Sequence, residues 1–314
     1  MQAILKNREE IDLNAWDNLL ANSQQNSVFV EHWFLDVVTN KNWQAYVVEK
    51  DGEYLSAMPV FMSKKLVFTL SRQPVLSKYW GPILRTQHSA YKTLNEAKKH
   101  ISILLSACEN DCTLYDYLWS PANPYVQQAK WQGYEISPMF TYSIRLNSIN
   151  EVLAEYRSET RRRLNKLRGQ GFICKHDNDV ELLLTSIKET RNSGNALFDK
   201  KFDAHFKNIA LRAIENNKAK VYNLYSENGE LTCSACILLD HSKIYFLGGF
   251  TMPNFRSDGV MIKLLHEIFA CHVGANLTFD FFGSSIENIE TFFRSFGAYS
   301  TTYYRVKKAR FPFN

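Results

Sequence analysis

Residues 280–297, DFFGSSIENIETFFRSFG, contain the pattern that decides the fold of this chain. An apolar run ending near its start is typical of a strand, and the apolar spacing over 286–296 predicts a helix that ends before a glycine. A second stretch, DYLWSPANPYVQQAKWQG (116–133), aligns with the first without gaps. The alignment pairs Asp116 with Asp280, Ser120 with Ser284, Lys130 with Arg294, and Gly133 with Gly297. This internal repeat predicts a duplicated fold.

The same reasoning extends outward through the C-terminal half. Its periodicity predicts helices at 151–170, 180–191, 203–216, 258–271 and 286–296, and strands at 172–175, 220–226, 231–240, 243–250, 277–281 and 299–307. An Asn-Gly pair at 228–229 predicts a hairpin between the second and third of these strands. From residue 172 onward the predicted order is β-α-α-β-β-β-α-β-α-β.

The N-terminal half has similar elements, with an Asp-Gly hairpin turn at 51–52 and a helix predicted at 91–108 before a strand at 113–118. A length of 314 residues also suits two domains. We therefore expect two tandem domains of the α+β class, 1–147 and 148–314, each with a mixed, largely antiparallel sheet flanked by helices.

The segment NFRSDGVM (254–261) follows a predicted strand and precedes a predicted helix. A helix N-terminus offers unpaired backbone N–H groups and a partial positive charge, both of which suit a phosphate. Gly259 allows close backbone approach, and Arg256 adds a planar donor. The alternative interpretation is an ordinary helix capped by Asp258. The corresponding segment of the first half, 83–94, has an arginine but no glycine before its helix, which predicts a single phosphate site.

Three motifs resemble the GNAT superfamily. Arg256-x-x-Gly259-x-Met261 resembles the GNAT pyrophosphate loop, and residues 280–297 resemble the Asp-Phe-x-Gly…Phe-Lys/Arg-x-x-Phe-Gly pattern of its Fem-like branch. That branch includes peptidoglycan-bridge aminoacyltransferases and double-domain acetyltransferase 6 proteins. The segment 158–171, SETRRRLNKLRGQG, resembles the Ser-x-x-Arg-x-x-Ile-x-Lys helix of the same branch. The expected fold is therefore two tandem GNAT-like domains, of which only the second has a donor loop.

The resemblance implies an acyltransferase that takes an acyl group from acyl-CoA as co-substrate and transfers it to a small-molecule or peptide amine bound between the halves. It implies donor contacts from Arg256, Ser257, Asp258, Gly259, Val260 and Met261, and acceptor contacts from Arg161, Lys166 and Ser284.

The same resemblance assigns the catalytic roles. Arg294 matches the basic residue that stabilises negative charge during transfer, and Asp280 is expected to orient the amine. The alternatives are a surface arginine on an amphipathic helix and an Asx turn at Asp280. Two positions depart from the pattern, because Met261 replaces a small residue and Phe293 replaces the tyrosine that often protonates a leaving thiolate.

Charge, motifs and cysteines limit which other classes of protein this chain could belong to. The net charge of +5 is concentrated in 160–170 and 305–310, where a solvated helix face competes with contacts to phosphorylated ligands. No metal motif, P-loop or catalytic triad is present, and no metal is expected. The CxxC pair Cys233/Cys236 leaves a zinc site as an alternative to buried, reduced thiols. We expect no membrane span and no secretory signal, and therefore a cytoplasmic location.

Three functions stay open: the acyl-CoA-dependent transferase, an aminoacyl-transfer-RNA-dependent transferase acting on a peptidoglycan precursor, and a non-catalytic binding protein that kept the fold. Bridge-forming aminoacyltransferases commonly carry a charged helical hairpin for transfer RNA. The stretch between Asp179 and Asn217 has room only for the two predicted helices. We therefore favour the first function, and expect a nucleic-acid partner only under the second.

Overall fold

The structure is a computed structural model that describes residues 1–86, 90–192, 200–283 and 286–310. In chain order its described helices, α1 to α10, are Leu13–Ala21, His32–Thr39, Ala90–Asp111, Gln127–Trp131, Ile149–Glu155, Ser158–Arg168, Val180–Asn192, Lys200–Glu215, Val260–His272 and Glu287–Arg294. Its strands, β1 to β14, are Ile4–Asn7, Gln44–Lys50, Glu53–Val60, Met62–Lys65, Phe68–Arg72, Ile83–Leu84, Leu114–Trp119, Glu135–Arg145, Ile173–His176, Ala219–Tyr225, Leu231–Leu239, Lys243–Thr251, Thr278–Asp280 and Tyr299–Ala309. The α+β class is confirmed.

The chain forms two compact units, Met1–Met139 with Thr302–Asn314, and Phe140–Thr301. In the first unit β1, β2, β3 and β6 form one sheet, and β4 pairs with β5 in a hairpin. Strand β5 runs parallel to β7, and residues 304–309 of β14 pair antiparallel with β7. Four fully buried tryptophans, Trp16, Trp43, Trp80 and Trp119, fill its core.

The second unit contains the sheet that positions the candidate site. Its strands lie in the order β8, β13, β12, β11, β10, β9, and only the β12–β13 pair is parallel. The predicted hairpin joins β10 to β11, with Gly229 in the left-handed region at φ +81°. From residue 172 onward the described elements follow the predicted order β-α-α-β-β-β-α-β-α-β, which is therefore confirmed.

One face of this sheet carries the larger apolar core. Phe279 and Phe281 of the β13 segment pack against Phe269 of α9 and against Phe293 and Phe296 at the end of α10. Phe293 stacks on Phe281 with the ring centroids 4.6 Å apart. Full burial of one such ring contributes roughly 1.5–3 kcal/mol, so this cluster fixes α9 and α10 on the sheet.

Two sequence-based predictions need correction. The helix predicted over 151–170 is two helices, α5 and α6, because Tyr156 is extended (φ −62°, ψ 139°). Its ring packs on Phe296, and the next amide, that of Arg157, donates to the carbonyl of Ser295. Strand β8 was not predicted at all, although residues 143–145 pair with β13.

The repeat has a counterpart in the pairing of the strands. In each unit a parallel pair, β5–β7 or β12–β13, continues into an antiparallel neighbour, which is β14 for β7 and β8 for β13. In a simple duplication β7 would pair with β8, the strand that follows it in the chain, and β13 would pair with β14. The pairing is the reverse, because β7 pairs with β14 and β13 with β8. The division at residue 147 and the superposition of the halves stay predictions.

Segment 83–94, which corresponds in the first half to the predicted phosphate loop, lies partly outside the described residues, at 87–89. Among the helices that the structure describes, none has the length and hydropathy needed to cross a bilayer.

Candidate active site

The strands β12 and β13 separate at one end of the second unit's sheet. They pair only from Lys243 to Tyr245 and from Thr278 to Asp280, and β12 then continues to Thr251. A bulge interrupts β12 at Leu247, where its register with β11 shifts. Beyond Tyr245, one edge of β12 therefore presents backbone N–H and C=O groups that β13 does not pair.

Helix α9 begins beside this separation, at the loop that the sequence singled out. Gly259 is the N-cap residue, in the left-handed region at φ +79°, and no side chain caps the helix. The interpretation of Asp258 as the cap is therefore wrong: its Oδ1 instead accepts a hydrogen bond from Ser257 Oγ (3.2 Å). Because no side chain caps this first turn, backbone N–H groups such as that of Val260 are available to an anion.

Arg163 of α6 contacts this helix start, and sequence reasoning missed it. A Cβ added to Gly259 would lie 3.6 Å from Arg163 Cδ and 3.5 Å from Ile262 Cδ1. The stem of Arg163 thus covers Gly259, while its guanidinium pairs with Glu159 at 3.1 Å. Nothing in the sequence of the 160–170 cluster distinguishes Arg163 from its basic neighbours.

Arg163 is itself exposed, with 48% of its side chain accessible, and so are the other cations of this region. Arg161 lies about 200° around the helix axis from Arg163, on the other flank of the buried stripe Thr160, Leu164 and Leu167. The side chains of Lys166 and Arg256 are also exposed. The structure therefore brings Arg163, rather than Arg161, to the start of α9.

Met261 fills space next to the β12 edge. A Cβ on Gly249 would lie 3.0 Å from Met261 Cε and even closer to the ring of Phe246. The methionine therefore lies over the strand beyond its bulge, where a smaller residue would leave more space.

Asp280, the last residue of β13, is fully buried at 0% exposure. Its Oδ1 accepts hydrogen bonds from Thr141 Oγ1 (2.5 Å) and from the Phe282 amide (2.8 Å). The second bond closes an Asx turn, so the turn that the sequence analysis offered as the alternative role of Asp280 is present. No group in the described residues donates to its Oδ2, and the nearest cation, Lys243 Nζ, lies 4.0 Å away. A buried carboxylate oxygen without a donor is costly, which makes it a candidate for chemistry.

Arg294 ends α10 with 59% of its side chain exposed, and its Nε donates to Glu290 Oε1 at 2.7 Å. Hydrogen bonds from Tyr142 and Arg294 lower the pKa of Glu290. Burial and the bond to Glu290 raise the pKa of Tyr142. Because neighbours alternate along a strand and Phe281 faces α10, Asp280 points to the other face of the sheet. The structure does not bring Arg294 and Asp280 together.

Two further predicted positions have simple outcomes. Ser284 lies outside the described residues. Cys233 and Cys236 are buried free thiols three residues apart on β11, so they face opposite sides of the sheet and cannot share one zinc ion. Among the described residues, no group of three or more His, Cys, Asp or Glu side chains is placed to hold a metal.

Comparison with known proteins identifies the fold. FemX superposes with a TM-score of 0.70 at 14% identity, covering 97% of each chain. A tandem GNAT protein from the clavulanic acid biosynthesis pathway, described without AcCoA, superposes with a TM-score of 0.56 at 8% identity, covering 98% of this chain and 97% of that one. The chain has a GNAT/Fem-like fold.

L-PGS from Bacillus licheniformis is also similar, with a TM-score of 0.56 at 13% identity, covering 96% of this chain and 94% of that one. No protein-family model matches the sequence. A comparison with curated proteins finds no match either. At 8–14% identity these structures establish the tandem fold alone.

Proposed function

We propose that this chain is an acyltransferase that moves an acyl group from acyl-CoA to an amine. The observation that carries the proposal is the separation of β12 from β13 beside the uncapped start of α9. This arrangement combines an edge of β12 that β13 does not cover beyond Tyr245, which suits the amide groups of a pantetheine arm, with helix amides that suit a diphosphate.

The residues around the loop fit such a donor. The amides of Ser257, Gly259 and Val260 are the proposed diphosphate contacts, since the Asp258 amide already donates to the carbonyl of Phe255 (3.2 Å). Arg163 and Arg256 are the proposed cations beside them. Met261 occupies space next to Gly249 of β12, and we therefore propose a short acyl chain rather than a long one.

In this proposal Asp280 is the acid–base residue. Thr141 and the Phe282 amide hold Oδ1, so Oδ2 is the oxygen left to accept a proton from the attacking amine. The amine nitrogen then forms a bond to the acyl carbon as the carbon–sulfur bond breaks. Since Phe293 is buried in the aromatic cluster and has no hydroxyl, we assign the return of that proton to the leaving thiolate to Asp280 as well.

Arg294 keeps its proposed role as the cation that meets the negative charge on the carbonyl oxygen. Because α10 packs on the face of the sheet opposite Asp280, this role and the acid–base role of Asp280 are alternatives, and the same carbonyl does not engage both. The role of Arg294 also requires its exposed ion pair with Glu290 to open, which costs little in water.

Thiol release from acetyl-CoA in the presence of a panel of primary amines tests the proposal. A thermal-shift series with CoA, acetyl-CoA and longer acyl-CoAs tests donor binding separately, since a ligand at 100 times its Kd adds about 2.7 kcal/mol of stability. We expect the shift to vanish in the Arg256→Ala/Gly259→Val variant. The same shift in parent and variant would reject the donor site.

A second candidate is transfer from an aminoacyl-transfer RNA. It is favoured by the exposed basic face of α6, where the side chain of Arg162 is 80% exposed, and by the resemblance of residues 280–297 to the Fem-like branch, which includes aminoacyltransferases. Binding of transfer RNA that weakens steeply with salt, together with no response to any CoA, would support it over the first.

A further inference from the structure

The second unit has a cavity at the end of its sheet away from Asp280. It lies where β8 passes Thr278, the first residue of β13, whereas Asp280 is the last. Its volume of about 460 Å³ is in the range of small-molecule sites. The proposed donor site lies at the opposite end of β13, where β12 continues beyond the partner of Asp280, so the cavity is separate from it.

The lining of this cavity combines an apolar floor with charges of both signs. Ile144 and Val152 are buried beneath it. Arg145 lines it, with its guanidinium 5.8 Å from the ring centroid of Tyr299. Glu155, the last residue of α5, also lines the cavity.

These two opposite charges do not pair with each other. Within the described residues, neither the guanidinium of Arg145 nor the carboxylate of Glu155 forms a hydrogen bond or an ion pair. A second carboxylate, Glu151, one helical turn before Glu155, accepts a hydrogen bond from Asn147 Nδ2 (3.2 Å). The cavity is thus lined by a cation and an anion that form no ion pair with each other.

Gly297 maintains this arrangement. It has φ +76°, and a Cβ there would lie 2.5 Å from the carbonyl oxygen of Glu155. The close approach of the two backbones holds the end of α5, and with it Glu155, at the cavity wall.

We propose that this cavity binds a small zwitterion, an α-amino acid or dipeptide with an apolar side chain, with its carboxylate on Arg145 and its ammonium on Glu155. Guanidinium and carboxylate are complementary in shape and charge. An ammonium finds its counter-ion at Glu155, with Glu151 next to it. The apolar floor takes the side chain.

The test uses calorimetric titration of the full chain with leucine and glycyl-leucine. Two matched ligands lack one charge each: 3-methylbutylamine has no carboxylate, and 4-methylpentanoate has no ammonium. We expect the zwitterions to bind at least tenfold more tightly than either. Arg145→Gln and Glu155→Gln should each weaken leucine binding by about tenfold, and Ala154→Phe should block it by filling the cavity.

The exposed charges Arg162 and Glu230 provide controls, since Arg162→Gln and Glu230→Gln should leave leucine binding unchanged. Equal affinity for leucine and 4-methylpentanoate, binding that survives both cavity variants, or no saturable binding at millimolar leucine would overturn the proposal. Because the readout is binding at a site away from Asp280, it does not depend on acyl transfer. The Asp280→Asn variant should bind leucine as the parent does.

Discussion

The stem of Arg163 packs over Gly259 at the start of α9, with 3.6 Å between Arg163 Cδ and the place that a Cβ on Gly259 would take. This contact puts a guanidinium beside an uncapped helix N-terminus, although the residues lie on different helices. Arg163 Nε and Nη2 both donate to Glu159 Oε1, at 3.2 and 3.1 Å. A donor phosphate would compete with Glu159 for the same guanidinium.

Arg163→Ala should therefore weaken the binding of CoA by about tenfold, because a charge-assisted hydrogen bond is worth roughly 1.5–3 kcal/mol and tenfold in affinity is about 1.4. Arg162→Ala removes a neighbouring exposed charge and should have little effect. Calorimetric titration with CoA measures both. Equal losses in the two variants would mean that only the net charge of α6 matters.

Asp280→Asn should lower the turnover of acyl transfer by about 10²–10⁴-fold while leaving the Kd for CoA unchanged, because general-base catalysis contributes a factor of this size. The repeat supplies the control: Asp116 aligns with Asp280, but it is ion-paired with Arg305. Asp116→Asn should keep full turnover. If the Asp280→Asn enzyme were as active as the parent, Asp280 would have no acid–base role and would serve only to form its Asx turn.

Arg294→Ala should lower turnover by about 10²–10³-fold with little change in donor affinity, if its cation meets charge only in the transition state. Arg294→Lys should keep part of the activity. Lys130→Ala, at the aligned position of the first half, is the matched control. Because Arg294 is exposed and paired with Glu290, unchanged turnover in Arg294→Ala would reduce it to an ion-pair partner on the surface of α10.

The order of elements in the second unit could be predicted because local signals specify it. The Asn-Gly turn at 228–229 and the apolar periodicity of α9 and α10 depend only on neighbours in sequence. The break at Tyr156 could not, since it depends on packing against Phe296, far along the chain. Strand β8 was missed for the same reason: its partner β13 lies more than a hundred residues later.

The site was predicted in part, for similar physical reasons. A glycine before a helix marked the start of α9, but the absence of a capping bond from Asp258 depends on backbone geometry that sequence does not specify. Arg163 could not be distinguished from its basic neighbours, because its contact with Gly259 arises when two helices pack. Nor does the pattern reveal that Asp280 is fully buried with one oxygen unpartnered.

Stability should fall in mild acid because of His272, which is 9% exposed and lies 3.0 Å from the Tyr222 hydroxyl through Nε2. Burial, with smaller contributions from Lys220 and His176, lowers the pKa of His272 to about 4. The unfolded chain binds this proton near pH 6.5, so the stabilisation is complete above pH 6.5 and is lost as the pH falls toward 4.

After allowance for solvent screening, we expect a loss on the order of 1–2 kcal/mol from this residue. Urea unfolding at pH 7.5 and 4.5 measures it. The pH dependence should be smaller in His272→Gln than in the parent, and unchanged in a variant of the exposed His241, His241→Gln. Identical pH dependence in all three proteins would show that other groups control acid unfolding.

Gly297→Ala should destabilise the fold far more than the same change at Gly274, although both glycines have positive φ, +76° and +81°. At Gly274 a Cβ meets nothing within 4 Å, so only backbone strain of about 1 kcal/mol applies. At Gly297 the new Cβ would lie 2.5 Å from the carbonyl oxygen of Glu155, and the two backbones must separate. Overpacking of this kind adds roughly 1–3 kcal/mol, giving about 3 kcal/mol in total. Free energies of unfolding from urea titration of the two variants would measure the difference directly, and equal losses would show that α5 moves away without cost.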